Sequence, residues 1–216
     1  MPKPPARPSL RPAFQPALAL LEIDSIAVGI EAADAMVKRA PVDVLRAGTI
    51  QPGRYLVLVT GAVGDVEEAF AAGREVGGAC VLDTVFLPNA HDQVVAVLRG
   101  ERGSGTGDAL GIVETMSVAA VIDAADAGVK GARVTLLDLR LGDGLGGKGY
   151  LLFDGPVSEV EAAVSIAVER ITGDTGAGAP RDRHEPIWRV IPQLHGEMRR
   201  ELAADPRFRN RVGAEA

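Results

Sequence analysis

Residues 22–38 read EIDSIAVGIEAADAMVK, and residues 114–130 read ETMSVAAVIDAADAGVK. Ten of these seventeen positions are identical at an offset of 92. Two shorter segments recur in the same order, because residues 61–67 return at 155–161 and residues 87–91 return at 191–195. Two copies are too few for the stacked repeats of a solenoid. The chain is therefore interpreted as a duplicated domain.

The repeat divides the 216 residues into five segments. Residues 1–16 contain six prolines and no apolar core of a signal peptide, so we expect a disordered arm and no secretory signal. The first domain is predicted over 17–100 and the second over 108–204. A linker rich in Gly and Ser joins them over 101–107, and a polar tail follows over 205–216.

Each half predicts the order strand, helix, strand, strand, helix, strand and short helix, an α+β domain with its helices against one sheet face. In the first half, the predicted segments are a strand at 17–23, a helix after Ser25, strands at 42–50 and 55–60, a helix from Val63 to Gly77, a strand at 81–87 and a helix at 91–98. Ser25 is suited to cap its helix, in which Ile26, Ile30, Ala33 and Val37 share a face.

The second half repeats this order. Its predicted segments are a strand at 109–115, a helix at 117–130, strands at 133–141 and 150–154, a helix at 156–171, a strand at 184–191 and a helix at 195–204. A flexible insertion is expected at 173–183, between the second long helix and the last strand.

Composition excludes several classes of protein. The net charge is −6 and aromatic residues are scarce, which argues against a nucleic-acid partner. Cys80 is the only cysteine, so internal disulfides and multi-cysteine metal sites within the chain are excluded, and a buried structural thiol is expected. No apolar stretch approaches the length of a membrane span. We therefore expect a cytoplasmic protein.

The glycine-rich segment at 142–149 is the nearest approach to a nucleotide-binding motif. It reads GDGLGGKG, which matches G-x-G-x-x-G and all of a P-loop except the final Ser or Thr. Both motifs present phosphate to a helix N-terminus, but the residues that follow, 150–153, read as a strand. A hairpin loop is the favoured interpretation.

Catalytic groupings are otherwise missing from the sequence, which contains no Ser/His/Asp arrangement and no metal-ligand spacing. His91 and His195 occupy equivalent positions before helices, which favours a structural role. Glu22 and Glu114 end apolar strands and are expected to hydrogen-bond locally.

Together, residues 19–22 and 111–114, each followed by A-A-D-A-x-V-K, resemble the bacterial microcompartment (BMC) shell family. A Gly-rich turn before a strand and a helix start like G-D-V-x-x-V also occur in both halves, so the resemblance covers about 17–204. The sequence is most similar to the tandem-domain, trimeric type in the unpermuted order. The resemblance implies two BMC-fold domains, a ferredoxin-like variant, and no enzymatic activity.

The resemblance further implies that three chains form a pseudohexameric tile of the shell around encapsulated enzymes. The hairpin loops then line a central pore for small metabolites, and the implied pore-lining residues are Thr49, Ile50, Gln51, Pro52, Gly53, Asp143, Gly144, Leu145, Gly146 and Gly147. The implied tile-edge residues, which would meet neighbouring shell proteins, are Lys38, Lys130, Asn89 and Gln193. The implied location is the shell of a microcompartment in the bacterial cytoplasm.

Two features depart from the family pattern. Asn89 and Gln193 stand where single-domain members often have an Arg that reaches across the tile edge. Gln51 stands where some tandem members have a Cys that holds an iron–sulfur cluster, and an amide is a poor replacement for a thiolate. We therefore expect no metal and no cofactor, and a colourless protein.

Two alternatives from other classes remain at this stage. One is an enzyme that binds nucleotide or phosphate at 142–148, and the other is a small-molecule sensor of duplicated α+β type.

Overall fold

The computed structural model describes residues 16–173 and 185–204. The first half contains β1 (Ala17–Ile23), α1 (Ile26–Arg39), β2 (Asp43–Ile50), β3 (Arg54–Gly61), α2 (Val63–Gly77), β4 (Val81–Leu87) and α3 (Asp92–Leu98). The second half contains β5 (Ala109–Thr115), α4 (Val118–Gly131), β6 (Thr135–Leu141), β7 (Gly149–Gly155), α5 (Val157–Thr172), β8 (Ile187–Pro192) and α6 (Gly196–Ala203). The predicted order of elements is confirmed in both halves.

Each half forms one antiparallel four-stranded sheet. The strand order is β2-β3-β1-β4 in sheet 1 and β6-β7-β5-β8 in sheet 2, so the two sheets have the same topology. The first strand of each repeat is central, which explains why residues 17–23 are apolar at every position except Glu22. All seven of these residues are buried.

Serine caps begin the first helix of each half. The Ser25 hydroxyl accepts a hydrogen bond from the Val28 N–H at 3.4 Å, and that of Ser117 accepts from the Ala120 N–H at 3.1 Å. These bonds satisfy backbone donors that the helix itself leaves unpaired. The helices predicted after Ser25 and from residue 117 are thus confirmed, as is the predicted Ser25 cap.

Both faces of sheet 1 are covered, which corrects the expectation of helices on one face only. One face packs against α1 and α2 through side chains such as Leu21, Val57 and Met36. The other face, called the open face, packs against α4 of the second half, and α3, which contacts β6 and α4, contributes residues to the same core. Leu20, Val85 and Ile122 therefore belong to one core that runs between the halves.

The face of α1 that the sequence pattern singled out is exposed. Gly29, Ala32 and Met36 are the buried residues of this helix. Of the predicted face, Ala33 packs against the core, whereas Ile26, Ile30 and Val37 lie at the surface of the chain. The pattern thus identified a helix, but the apolar stripe of Ile26, Ile30 and Val37 does not pack into the core of its own domain.

The linker lies on sheet 2 and is fixed there by hydrogen bonds. The Gly103 N–H donates to the Leu137 carbonyl oxygen at 3.1 Å, and the Gly107 N–H donates to Asp154 Oδ2 at 2.7 Å. Arg102 donates to Asp138 Oδ2 at 2.8 Å. These contacts give the linker a defined path in spite of its composition.

Several predicted segments fall outside the described residues. These are residues 1–15 of the arm, residues 174–184 of the insertion and of the predicted last strand, and the tail at 205–216. Among the described helices, none is both long enough and apolar enough to cross a membrane.

Candidate functional site

The β2–β3 hairpin forms a tight tip at residues 51–53. The Gly53 N–H donates to the Ile50 carbonyl oxygen at 3.0 Å, and Gly53 has a φ of 100°. Thr49, Gln51 and Pro52 are exposed at this tip. The first set of predicted pore residues therefore projects from the end of sheet 1.

The glycine-rich segment forms the corresponding tip of the β6–β7 hairpin. The Gly142 N–H donates to the Lys148 carbonyl oxygen at 2.9 Å, and the Leu145 N–H donates to the Gly142 carbonyl oxygen at 3.1 Å. Four glycines here have positive φ values, namely Gly142, Gly144, Gly146 and Gly147. The tip leads into β7 and not into a helix, so it lacks the helix N-terminus that a P-loop uses to hold phosphate.

The two hairpin tips of one chain touch. A Cβ atom added to Gly147 would lie 3.1 Å from the Gln51 carbonyl oxygen and 3.2 Å from Pro52 Cδ. A Cβ atom at Gly142 would lie 2.5 Å from Ile50 Cδ1. The structure therefore brings the two predicted sets of pore residues together.

A substitution at Gly147 tests this contact. Gly147→Ala should lower the free energy of unfolding by about 1–3 kcal/mol more than Gly144→Ala, because the added methyl group presses on the other hairpin. Both glycines have positive φ, but a Cβ atom at Gly144 has no atom within 4 Å. The two variants share the backbone strain, and their difference in urea unfolding isolates the contact. Equal losses would contradict it.

Asp143 lies beside a groove and not only at the hairpin tip. Asp143, Arg46 and Arg140 border a groove of about 320 Å³ between the two halves. The Asp143 N–H donates to the Leu141 carbonyl oxygen at 2.7 Å, and its side chain is exposed.

A buried polar cluster lies at the junction between the halves, close to the hairpins. Glu22 Oε1 accepts from Arg54 Nη1 at 2.7 Å, and Glu22 Oε2 accepts from the Val118 N–H at 2.8 Å. The Ser117 hydroxyl donates to Asp83 Oδ2, and its oxygen lies 3.4 Å from Glu22 Oε2. The Glu22 carboxylate thus lies at the N-terminus of α4, where the helix dipole favours negative charge.

Burial raises the pKa of Glu22 above its ordinary value of 4.5. The hydrogen bond and positive charge of Arg54 and the Val118 N–H lower this pKa, whereas the negative charge of Asp83 raises it. The expectation of local hydrogen bonds was wrong for Glu22, since its partners come from other strands and from the other half. The signal that could have revealed the cluster is the recurrence of an acid and a base: Glu22 and Arg54 return as Glu114 and Lys148.

Glu114 forms the equivalent ion pair in an exposed setting. Lys148 Nζ lies 2.7 Å from Glu114 Oε1, the same distance as in the Arg54–Glu22 pair. The Glu114 side chain is 35% exposed, whereas that of Glu22 is completely buried. No helix covers Glu114 within the described part of the chain.

The predicted edge residues fall into two groups. Lys130 Nζ donates to the Asn89 carbonyl oxygen and to Asp126 Oδ2, both at 2.5 Å, so the structure brings Lys130 and Asn89 together. Lys38 pairs with Asp34 and is exposed, and Gln193 is exposed after β8. The Lys130–Asn89 contact joins the two halves of the chain.

The two equivalent histidines cap helices, as expected. His91 Nδ1 accepts from the Gln93 N–H at 3.3 Å, and His195 Nδ1 accepts from the Glu197 N–H at 3.2 Å. Their structural role is confirmed. Within residues 16–173 and 185–204, no group of three or more His, Cys, Asp and Glu is placed to hold a metal ion.

Comparisons with known proteins agree with this architecture. The model of the BMC domain matches residues 17–90 and 109–178. The bacterial microcompartment shell protein PduT of Citrobacter freundii is 43% identical over 186 residues, which cover 86% of this chain and 97% of PduT. The carboxysome shell protein CcmK1 of Thermosynechococcus vestitus is 44% identical over 95 residues, 41% of this chain and 81% of CcmK1.

Solved structures give the same result. The crystal structure of a microcompartment protein from Desulfitobacterium hafniense has a TM-score of 0.72 and 38% identity, and the match covers 86% of this chain and 99% of that one. A fused permuted hexameric shell protein of the RMM microcompartment has a TM-score of 0.51 at 20% identity, over 70% of this chain and 81% of that chain, and shows the fold alone. With one BMC domain in each half, the chain belongs to the BMC-domain family of bacterial microcompartment shell proteins.

Proposed function

We propose that three copies of this chain close into a pseudohexagonal shell tile, and that its paired hairpins line a central pore for small metabolites. The domains at 17–100 and 108–204 would then alternate around the axis, joined by the linker at 101–107. Membership of the shell-protein family supports a structural role for the chain and not an enzymatic one. Neither the nucleotide-binding enzyme nor the sensor gains support, since the glycine-rich segment is a hairpin tip.

Exposed apolar residues whose repeat equivalents are buried carry this proposal. The structure describes eight exposed large hydrophobic side chains, and six of them match a position that is buried in the other half. The six pairs, exposed residue first, are Ile26 and Val118, Ile30 and Ile122, Val37 and Val129, Ile187 and Asp83, Ile191 and Leu87, and Met198 and Val94. Each half therefore has the surfaces for a junction with another domain, but the described residues of one chain form a single such junction.

The two surfaces left over are different from each other. One is the exposed stripe on α1. The other is the face of sheet 2 equivalent to the open face of sheet 1, which is called the open face of sheet 2, together with α6. Two different complementary surfaces produce head-to-tail contacts, which close into a ring or continue as a filament. Closure after six domains, as the family resemblance implies, requires three chains.

Stoichiometry tests the proposal directly. Size exclusion with light scattering should give three times the chain mass of 22.5 kDa, and electron microscopy of the overexpressed protein should show sheets or tubes. A stable monomer at micromolar concentration would overturn the tile. A thermal shift on addition of a nucleotide would favour the enzyme instead.

In the trimer, three tips with Gln51 would alternate with three tips with Leu145. The proline of the first tip restricts its backbone, whereas the second tip contains four glycines and is the candidate for movement if the pore opens and closes. Lys38, Lys130, Asn89 and Gln193 remain the candidates for contacts with other shell proteins at the tile edge. Encapsulated enzymes are possible partners on the lumenal face.

Asp143 allows a test of pore selectivity. A ring of three carboxylates would favour cations and neutral metabolites over anions, so Asp143→Lys should raise the anion-to-cation permeability ratio in a planar bilayer. Glu67→Lys makes the same change of charge on an exposed position of α2 and should leave the ratio unchanged. An unchanged ratio for Asp143→Lys would assign this side chain to the groove, and Gln51 would remain as the main polar group of the pore.

A further inference from the structure

The junction inside the chain shows how one domain receives the next. Helix α4 packs on the open face of sheet 1, and its N-terminus lies against the Glu22 carboxylate. Val118 and Ile122, which pack there, are completely buried. The equivalent residues of α1, Ile26 and Ile30, are 43% and 54% exposed.

Sheet 2 has residues equivalent to the Glu22–Arg54 pair of this junction, but no helix N-terminus is described against them. Glu114 pairs with Ile187 across β5 and β8, as Glu22 pairs with Asp83 across β1 and β4. Lys148 takes the place of Arg54 as the cation on the carboxylate. Sheet 2 therefore presents a carboxylate at the position where sheet 1 holds a helix N-terminus.

Within residues 16–173 and 185–204, no carboxylate lies at the N-terminus of α1 as Glu22 does at that of α4. Its first turn contains no acidic residue, and Ser25 is its side-chain cap. In α4 the equivalent Ser117 is supplemented by Glu22 of the other half, which accepts from the Val118 N–H. Both helices begin with a serine cap, but among the described residues only α4 also has a carboxylate that accepts a hydrogen bond from its first turn.

We propose that Glu114 of one protomer caps α1 of the next protomer by accepting a hydrogen bond from the Ile26 N–H. Ile26 and Ile30 then pack on the open face of sheet 2, beside Ile187 and Ile191. The inference rests on the proposed trimer and adds to it the two surfaces that meet and the charged residue between them. Each helix α1 is thus completed by a second copy of the chain.

The junction between protomers differs from the internal one in charge. Asp83 provides a second carboxylate beside Ser117 inside the chain, whereas the equivalent residue Ile187 provides none beside Ser25. At the internal junction, sheet 1 supplies two carboxylates and Arg54, whereas at the junction between protomers sheet 2 would supply one carboxylate and Lys148. Glu114 is consequently the acidic acceptor on which the contact between chains depends.

Disulfide trapping tests which surfaces meet. Ser117 and Asp83 are in hydrogen-bond contact inside the chain, so the equivalent residues Ser25 and Ile187 of neighbouring protomers should be close enough for a disulfide. In a Cys80→Ala background, Ser25→Cys with Ile187→Cys should give covalent dimers and trimers on non-reducing gels, and reductant should remove them. Each single-cysteine variant serves as the control.

A second variant tests the cap without a cysteine. Glu114→Ala should raise the concentration at which trimers dissociate by about tenfold or more, because a hydrogen bond to a charged group is lost at each contact. Glu161→Ala removes an exposed carboxylate from α5 and should leave this concentration unchanged. Trimers that neither cross-link nor respond to Glu114→Ala would overturn the pairing and leave the proposed tile intact. A monomeric parent protein would overturn both.

Discussion

Ile30→Asp should convert the trimer into monomers that remain folded. Ile30 lies on the exposed stripe of α1, so the substitution leaves the core of the chain untouched. In the proposed trimer, the same position would be buried against the neighbouring sheet, as Ile122 is inside the chain. Each contact then loses an apolar contribution of about 1.5–3 kcal/mol and gains an unpaired buried charge, which costs several kcal/mol more.

Light scattering at micromolar concentration measures the result, and far-UV circular dichroism checks that the helices persist. Val63→Asp is the matched control, because Val63 is also an exposed apolar residue but its repeat equivalent, Val157, is only partly buried. The control should remain trimeric. A trimer that survives Ile30→Asp would show that α1 does not form the contact between protomers.

Sequence patterns predicted most of the fold inside each of the two domains. The bounds of β1, β4 and β5 agree with the prediction, because short apolar runs between turn residues leave little freedom in placing a buried strand. Helix α1 starts where the Ser25 cap predicts, since a cap is a local feature of the sequence, and α4 starts within one residue of the predicted helix at 117–130.

The contacts between the two halves could not be predicted from the sequence patterns. The apolar stripe of α1 and that of α4 have similar patterns, yet among the residues that the structure describes only the stripe of α4 is covered. Periodicity shows which side chains share a helix face, but it does not show which surface covers them. The difference arises because the second half packs on the first, and nothing in the described part of the chain packs on α1 in the same way.

The candidate site was predicted only through the family resemblance. The residues of the two hairpin tips lie about ninety positions apart, and the contact between Gly147 and the Gln51 carbonyl oxygen is a tertiary one. The role of Glu22 was missed for the same reason, since its helix partner at Val118 belongs to the other half.

Glu22→Ala should destabilise the chain by about 3–5 kcal/mol, the range for breaking a buried ion pair. The substitution leaves Arg54 without its buried carboxylate, removes an acceptor from the Val118 N–H and leaves a void in the junction. Glu68→Ala is the control, because the Arg39–Glu68 pair is exposed on both sides and such pairs contribute about 0–1 kcal/mol. Urea unfolding compares the two variants, and similar small losses would show that the cluster does not stabilise the junction.

The same residue should make stability depend on pH. Because burial raises the pKa of Glu22 in the folded chain, protonation favours folding. This contribution is complete below the ordinary pKa of 4.5 and is lost as the pH rises through the raised value. Glu22→Gln cannot titrate, so the unmodified protein should lose stability relative to this variant as the pH rises above 4.5. Parallel pH profiles of unfolding would mean that Arg54 and the α4 N-terminus fully offset the burial of the charge.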